Sequence, residues 1–177
     1  MEQPALKRLA TIAGHGPVSE MTLRCSYPNV SLATLWRAII EPEQLKVWWP
    51  DWEVGGLFEP HPGGRVVIGD GAWLNGRITQ WEPHSRLAYT WREDQPDATW
   101  FEANSQSAVL FLLEDLGQKH SQLTLQQPMP TDSVVGGTAG WHYFAAERLP
   151  RFLAHLPQLP EAGRFEALVE LYGPEPE

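Results

Sequence analysis

A single cysteine, Cys25, stands in a chain of 177 residues. One thiol excludes an internal disulfide and a cysteine-built zinc site, and it fits a reducing compartment. Basic residues are scarce too: 13 Lys and Arg against 22 Asp and Glu leave a formal net charge of −9. That balance argues against a phosphate-binding surface. With no basic run and no nucleic-acid motif, no nucleic-acid partner is expected. No stretch approaches the ~20 consecutive apolar residues that span a bilayer, so no membrane span is expected. Lys7 and Arg8 precede a segment, Leu9 to His15, that is too broken for a signal-peptide core; a cytoplasmic location is the expectation. There is no nucleophile elbow, Walker loop or dinucleotide fingerprint. Gly63-Gly64 and Gly69-Asp70-Gly71 read as turns, because no helix start follows them. The histidines, His15, His61, His84, His120, His142 and His155, fall in no metal-ligand spacing. Neither a metal nor a cofactor is expected. Carboxylates such as Glu59, Glu82, Glu93 and Glu102 lie on strands or at strand ends, and nothing in the sequence marks one of them as catalytic.

What the chain has in excess is tryptophan, nine residues against three methionines. Side chains this large and flat line either a core or a pocket. The length suits one domain, and a domain of this size buries ~70% of the surface its unfolded chain exposes. Residues 1–19 read as an N-terminal extension with a short helix over Pro4–Ile12, broken by Gly14, Gly16 and Pro17. Met21, Leu23, Cys25 and Tyr27 alternate with polar neighbours and define a half-buried strand. Gly55–Pro60 and Arg65–Ile68 flank Pro62-Gly63-Gly64 as a hairpin. Trp73–Glu82 is the next strand, where Gly76 marks a bulge or a close backbone approach. Arg86–Arg92 alternates with Leu87, Tyr89 and Trp91 on one face. Another strand begins after Trp100-Phe101 and ends at Glu114-Asp115. His120–Gln127 turns Leu123 and Leu125 inward, and Pro128-Met129-Pro130 ends the sheet. Gly136–Leu156 reads as a long helix with Trp141, Ala145, Leu149, Phe152 and Leu156 on one stripe and a kink or a short break at Pro150. Residues 158–177 form a C-terminal extension with a short helix over Glu161–Leu171.

Val30 to Pro50, VSLATLWRAIIEPEQLKVWWP, is the most diagnostic stretch. Ser31 is a helix N-cap, and Leu32, Leu35, Trp36, Ile39 and Ile40 follow at helical spacing. Pro42 stops that helix. A second short helix, Glu43–Trp48, ends in Trp48-Trp49-Pro50. With Gly55-Gly56, Gly76, Trp91 and Gly140-Trp141 further on, this punctuation resembles the SRPBCC (START-like, Bet v 1-like) superfamily. Within it, the chain is similar to the branch named after the activator of the heat-shock protein ninety ATPase. The resemblance covers roughly residues 20–156, and the domain is placed at 20–157.

The expected fold is α+β: a curved antiparallel sheet wrapped around a long C-terminal helix, with two short helices after the first strand. Short turns between strands imply the antiparallel sheet on their own, and its apolar face needs a cover. Only the long helix is large enough. In the helix-grip architecture that the resemblance implies, the space between sheet and helix is a cavity. The expected lining is Trp48, Trp49, Trp73, Tyr89, Trp91, Trp100, Phe111, Trp141 and Phe144, with His142 as a polar group near its mouth. Trp36 and Trp141 sit mid-stripe and also read as core; a lone helical histidine is more often a satisfied structural group. The expected function is binding of a hydrophobic or aromatic small molecule. One rival, implied by the resemblance, is a polyketide cyclase or aromatase working in the same cavity. The other is a co-chaperone-like interaction module using the acidic surface. Oligomeric state is not legible.

Overall fold

A computed structural model of the protein describes residues 5–14, 16–93 and 109–174. Among the described residues eight strands form one sheet: β1 (Ala10–Ala13), β2 (Val18–Pro28), β3 (Leu57–Phe58), β4 (Arg65–Ile68), β5 (Leu74–Glu82), β6 (Arg86–Tyr89), β7 (Val109–Asp115) and β8 (His120–Pro130). Their spatial order is β1-β2-β8-β7-β6-β5-β4-β3, and each neighbouring pair is antiparallel. After β2 come two short helices, α1 (Leu32–Ile40) and α2 (Pro42–Trp48). The long helix follows β8 in three stretches. α3 (Val134–Trp141) is α-helical, His142–Arg148 is π-helical, and α4 (Leu149–Leu153) closes it. The last helix is α5 (Arg164–Tyr172).

Alternation decides the sheet's inner face. Met21, Leu23, Cys25 and Tyr27 of β2 are buried, as are Leu123 and Leu125 of β8 and Val109, Phe111 and Leu113 of β7. Ser31 caps α1, its hydroxyl accepting from the Thr34 N–H at 3.2 Å, and Glu41 ends that helix in extended backbone before Pro42. Gly76 meets the carbonyl of Thr90 so closely that a Cβ would overlap it, and the β5–β6 register shifts between Ile78 and Gln80. Gly55 has φ +55° and packs against Asp70 with no room for a side chain. The sheet curves around the long helix. Tyr27 of β2 donates its hydroxyl to the Ala145 carbonyl at 2.6 Å, and Trp141 packs edge-on against Phe111 at 5.9 Å.

Four local expectations are corrected. Residues Ala10–Ala13 form a strand paired with β2, where the reading placed a helix over Pro4–Ile12. The sheet does not stop at Pro128: β8 runs on to Pro130, pairing with β2 through Val18↔Pro130. The pairing with β7 ends at Leu110↔Gln126, so the prolines, which have no N–H, fall where β8 needs donors on one side only. The long helix starts at Val134 and ends at Leu153, and His155 leaves it in the left-handed region with φ +57°. Leu156, expected on its stripe, is therefore exposed. Pro150 does not break the helix; the turn before it widens to π geometry. Proline supplies no N–H to the preceding carbonyls, and the Tyr27 hydroxyl satisfies the Ala145 carbonyl instead. The first and last described segments pack onto the sheet and helix. Tyr172 of α5 accepts from the Leu9 N–H at 3.1 Å and bonds His142 Nδ1 at 2.7 Å, and Glu147 pairs with Arg164 at 2.6 Å.

Candidate functional site

Ser133, Gly137, Gly140, Trp141 and Phe144 fall on one face of the long helix, spaced by three or four residues. That face, the end of β8 (Gln127 to Pro130), Trp49 and Asp51 after α2, and Trp91 and Arg92 after β6 enclose a cleft of about 440 Å³. It is open to solvent at one side. Its volume is in the range of small-molecule sites.

Trp49 is the hub of the aromatic lining. It is buried, and its ring lies 4.8 Å from Trp141, 6.0 Å from Trp91 and 6.1 Å from Phe144. The Trp91 ring is nearly parallel to it, at 13°. Local chemistry explains why Trp49 points there. Its N–H bonds the Leu45 carbonyl at the end of α2, and Pro50 then forbids the helix to continue. Arg148 reaches across from the long helix and donates to the Val47 carbonyl at 2.8 Å and the Trp48 carbonyl at 3.0 Å. A cation at those carbonyls also complements the helix dipole. The turn carrying Trp49 is thus tied to the long helix that forms the opposite wall.

Three glycines in the eight residues of α3 are costly, each ~1 kcal/mol worse than alanine in a helix interior. At two of them the reason is visible. A Cβ on Gly137 would overlap the Met129 sulfur, so that glycine admits the β8 side chain. A Cβ on Gly140 would meet no atom within 4 Å; it would stand in the cleft itself. Around this apolar lining the polar groups are mostly engaged. The Trp49 indole N–H donates to Asp51 Oδ2 at 3.3 Å, Ser133 donates to the Pro130 carbonyl at 3.2 Å, and Arg92 donates to the carbonyls of Gly71 and Ala72. Gln127 Oε1 accepts from the Trp141 indole N–H at 2.6 Å.

Of the expected lining, the structure brings together Trp49, Trp91, Trp141 and Phe144. Trp48, Tyr89 and Phe111 are elsewhere, fully buried in the core. Trp48 pins α1 to α2 by donating to the Ala38 carbonyl at 2.9 Å. Tyr89 and Phe111 pack at a tilt, 5.7 Å apart, and Phe111 meets Trp141 edge-on, so these rings are core packing under the helix where a cavity was expected. Trp73 is half exposed: β5 begins at Leu74, with Leu74, Gly76 and Ile78 inward, so its neighbour faces out. Trp100 lies outside the described residues. His142 is not at the cleft mouth. It is buried against Tyr172, and burial pushes its pKa down, with Arg164 adding to the shift and Glu147 opposing it. Cys25 is buried as well, its thiol pushed up to about 12 by desolvation. Among the described residues, no group of three His, Cys, Asp or Glu side chains is placed to hold a metal, and no helix is long and apolar enough to cross a membrane. Sequence reasoning missed Gln127, Gly137, Gly140, Asp51 and Arg92. The glycines in a helix-forming stretch, on the same face as Trp141 and Phe144, were the available signal.

An antiparallel sheet gripping one long helix, with a cleft at the end of that grip, defines the helix-grip class of α+β proteins. Solved structures of the same architecture cover 76% to 96% of the chain. CalU16 from Micromonospora echinospora matches with a TM-score of 0.64 at 18% identity, over 96% of both chains. EF2215, a conserved protein of unknown function from Enterococcus faecalis, matches with a TM-score of 0.64 at 20% identity, over 92% of this chain and 87% of that one. MLL2253 from Mesorhizobium loti gives 0.56 at 21% identity, over 76% and 97%. At these identities the likeness concerns the fold. No curated protein matches the sequence. The chain belongs to the family of activator of Hsp90 ATPase homolog 1-like proteins, whose model matches residues 29–159.

Proposed function

We propose that this protein binds a hydrophobic or aromatic small molecule in the cleft between the end of β8 and the glycine-bearing face of the long helix. One observation carries the reading. Four aromatic side chains converge on an open volume of about 440 Å³, beside a helix glycine whose absent side chain would occupy that volume. Apolar ligands gain from aromatic walls, and a helix that keeps Gly140 there gives up stability to leave the space free. Binding is favoured over polyketide-cyclase-like chemistry because Asp51, Arg92 and Ser133 are each held by bonds within the fold. The acidic surface and the family's description are the support for a protein-docking role, and neither specifies a contact.

Equilibrium dialysis with fluorene, a flat three-ring hydrocarbon, tests the proposal. The native protein should take up the probe, Gly140→Leu should lose it without loss of folding, and Trp91→Ala should weaken uptake more than stability. A native protein that takes up no fluorene, or a Gly140→Leu variant that binds it as well as the native chain, would sink the reading.

A further inference from the structure

Gln127 is 5% exposed and borders the cleft. The Trp141 indole N–H is a donor only, so the oxygen of the Gln127 amide must face it, and the 2.6 Å bond fixes which side of the amide is left. That side is the NH₂ group. Among the described residues nothing accepts a hydrogen bond from it, and it is not one of the side-chain nitrogens sealed from solvent without a partner. A donor that is both nearly buried and unspent favours a ligand that supplies an acceptor. Gln127 lines the same cleft as Gly140, where the helix leaves room, and the aromatic rings that accept flat molecules.

Resting on the cleft reading above, we infer that the site selects flat apolar molecules carrying an uncharged carbonyl oxygen, and that the Gln127 amide N–H reads that oxygen. Asp51 and Arg92 border the same cleft with opposite charges, so neither sign is favoured, and the aromatic lining favours an uncharged acceptor. A hydrocarbon of the same shape would leave the donor unpaired and bind more weakly. By the usual worth of one such bond, the difference is about tenfold in Kd.

The test compares two isosteric probes, 9-fluorenone and fluorene, by equilibrium dialysis on the full chain. Native protein should bind the ketone about tenfold tighter. Gln127→Leu should bring the ketone to the hydrocarbon's affinity while hydrocarbon binding persists. Gln127→Glu keeps an oxygen for the Trp141 N–H and removes the donor, and it should lose the preference too. This selectivity ratio does not respond to a merely structural role. Equal binding of both probes by native protein overturns the inference and leaves the cleft reading standing. So does a preference that survives in both variants. Binding of neither probe overturns both. If a variant fails to fold, the native ratio still decides.

Discussion

The two halves of the long helix are built on opposite terms. Its first half, α3, carries three glycines and borders an open cleft. Its second half is closed off from that cleft and tied into the fold, with a separate pocket of about 470 Å³ between its end and Tyr27 to Val30: Tyr27 fills the Ala145 carbonyl, Arg148 grips the end of α2, and Glu147 pairs with Arg164 at about one-tenth exposure on each side. His142, at the junction, is held by Tyr172. In the closed half the side chains of Tyr27, His142, Glu147 and Arg148 all find partners within the chain. In the open half the Gln127 amide keeps a donor to spare. The difference teaches where to look for function in this fold. The space beneath the middle of the helix is core, and the aromatic cleft lies at the end where the helix has no side chains to fill it.

Four measurements press on this comparison. Trp141 belongs to both halves' packing, touching Phe111 below and Trp49 beside it. Trp141→Ala should therefore cost ~3–5 kcal/mol in chemical denaturation; a negligible shift would mean that the open half is not anchored through this ring. Glu147→Ala removes an ion pair whose two side chains are both largely buried and should cost ~3 kcal/mol. A cost no greater than that of an exposed pair such as Arg37–Glu41 would show that the closed half is not held by this ion pair.

Acid should loosen the closed half. Burial keeps the folded-state pKa of His142 below its ordinary 6.5, so the unfolded chain takes up the proton first. The stability that the neutral ring contributes is complete above pH 6.5 and declines as pH falls below it. A His142→Gln variant should flatten that decline, and urea midpoints between pH 7.5 and 5.5 that change equally in both proteins would count against the assignment. The smallest effect belongs to the open half. Gly140→Ala meets no atom and should gain ~0.5–1 kcal/mol from helix propensity; a loss would reveal strain that the backbone conceals.

Much of the fold was readable because it rests on local periodicity. Strand β2 follows from Met21, Leu23, Cys25 and Tyr27, and α1 follows from Ser31 and its apolar stripe. The unread parts depend on distant partners. Strand β1 is four residues at a sheet edge, with little apolar pattern to report. The π-helical stretch depends on a tyrosine more than a hundred residues away. Among the candidate site residues, Trp73 stands just before β5 and out of step with its inward residues Leu74 and Ile78, so it is half exposed. Tyr89 and Phe111 were correctly turned inward, but alternation cannot tell a lined cavity from a filled one. Pro128 and Pro130 hid the end of β8, which supplies one wall of the cleft.

The aromatic network also has an optical consequence. Trp48, Trp52, Trp91 and Trp141 each lie within 6.0 Å of Trp49, ring centre to ring centre. Indoles this close exchange excitation energy faster than they emit, so the five form a single antenna. A chromophore seated against Trp91 would drain light absorbed by rings deep in the core, and the emission lost would exceed the share of the one indole it touches. Trp36 and Trp81, 5.1 Å apart, pair with each other in a separate contact. Residual emission at saturation would then report mainly on the tryptophans outside the antenna.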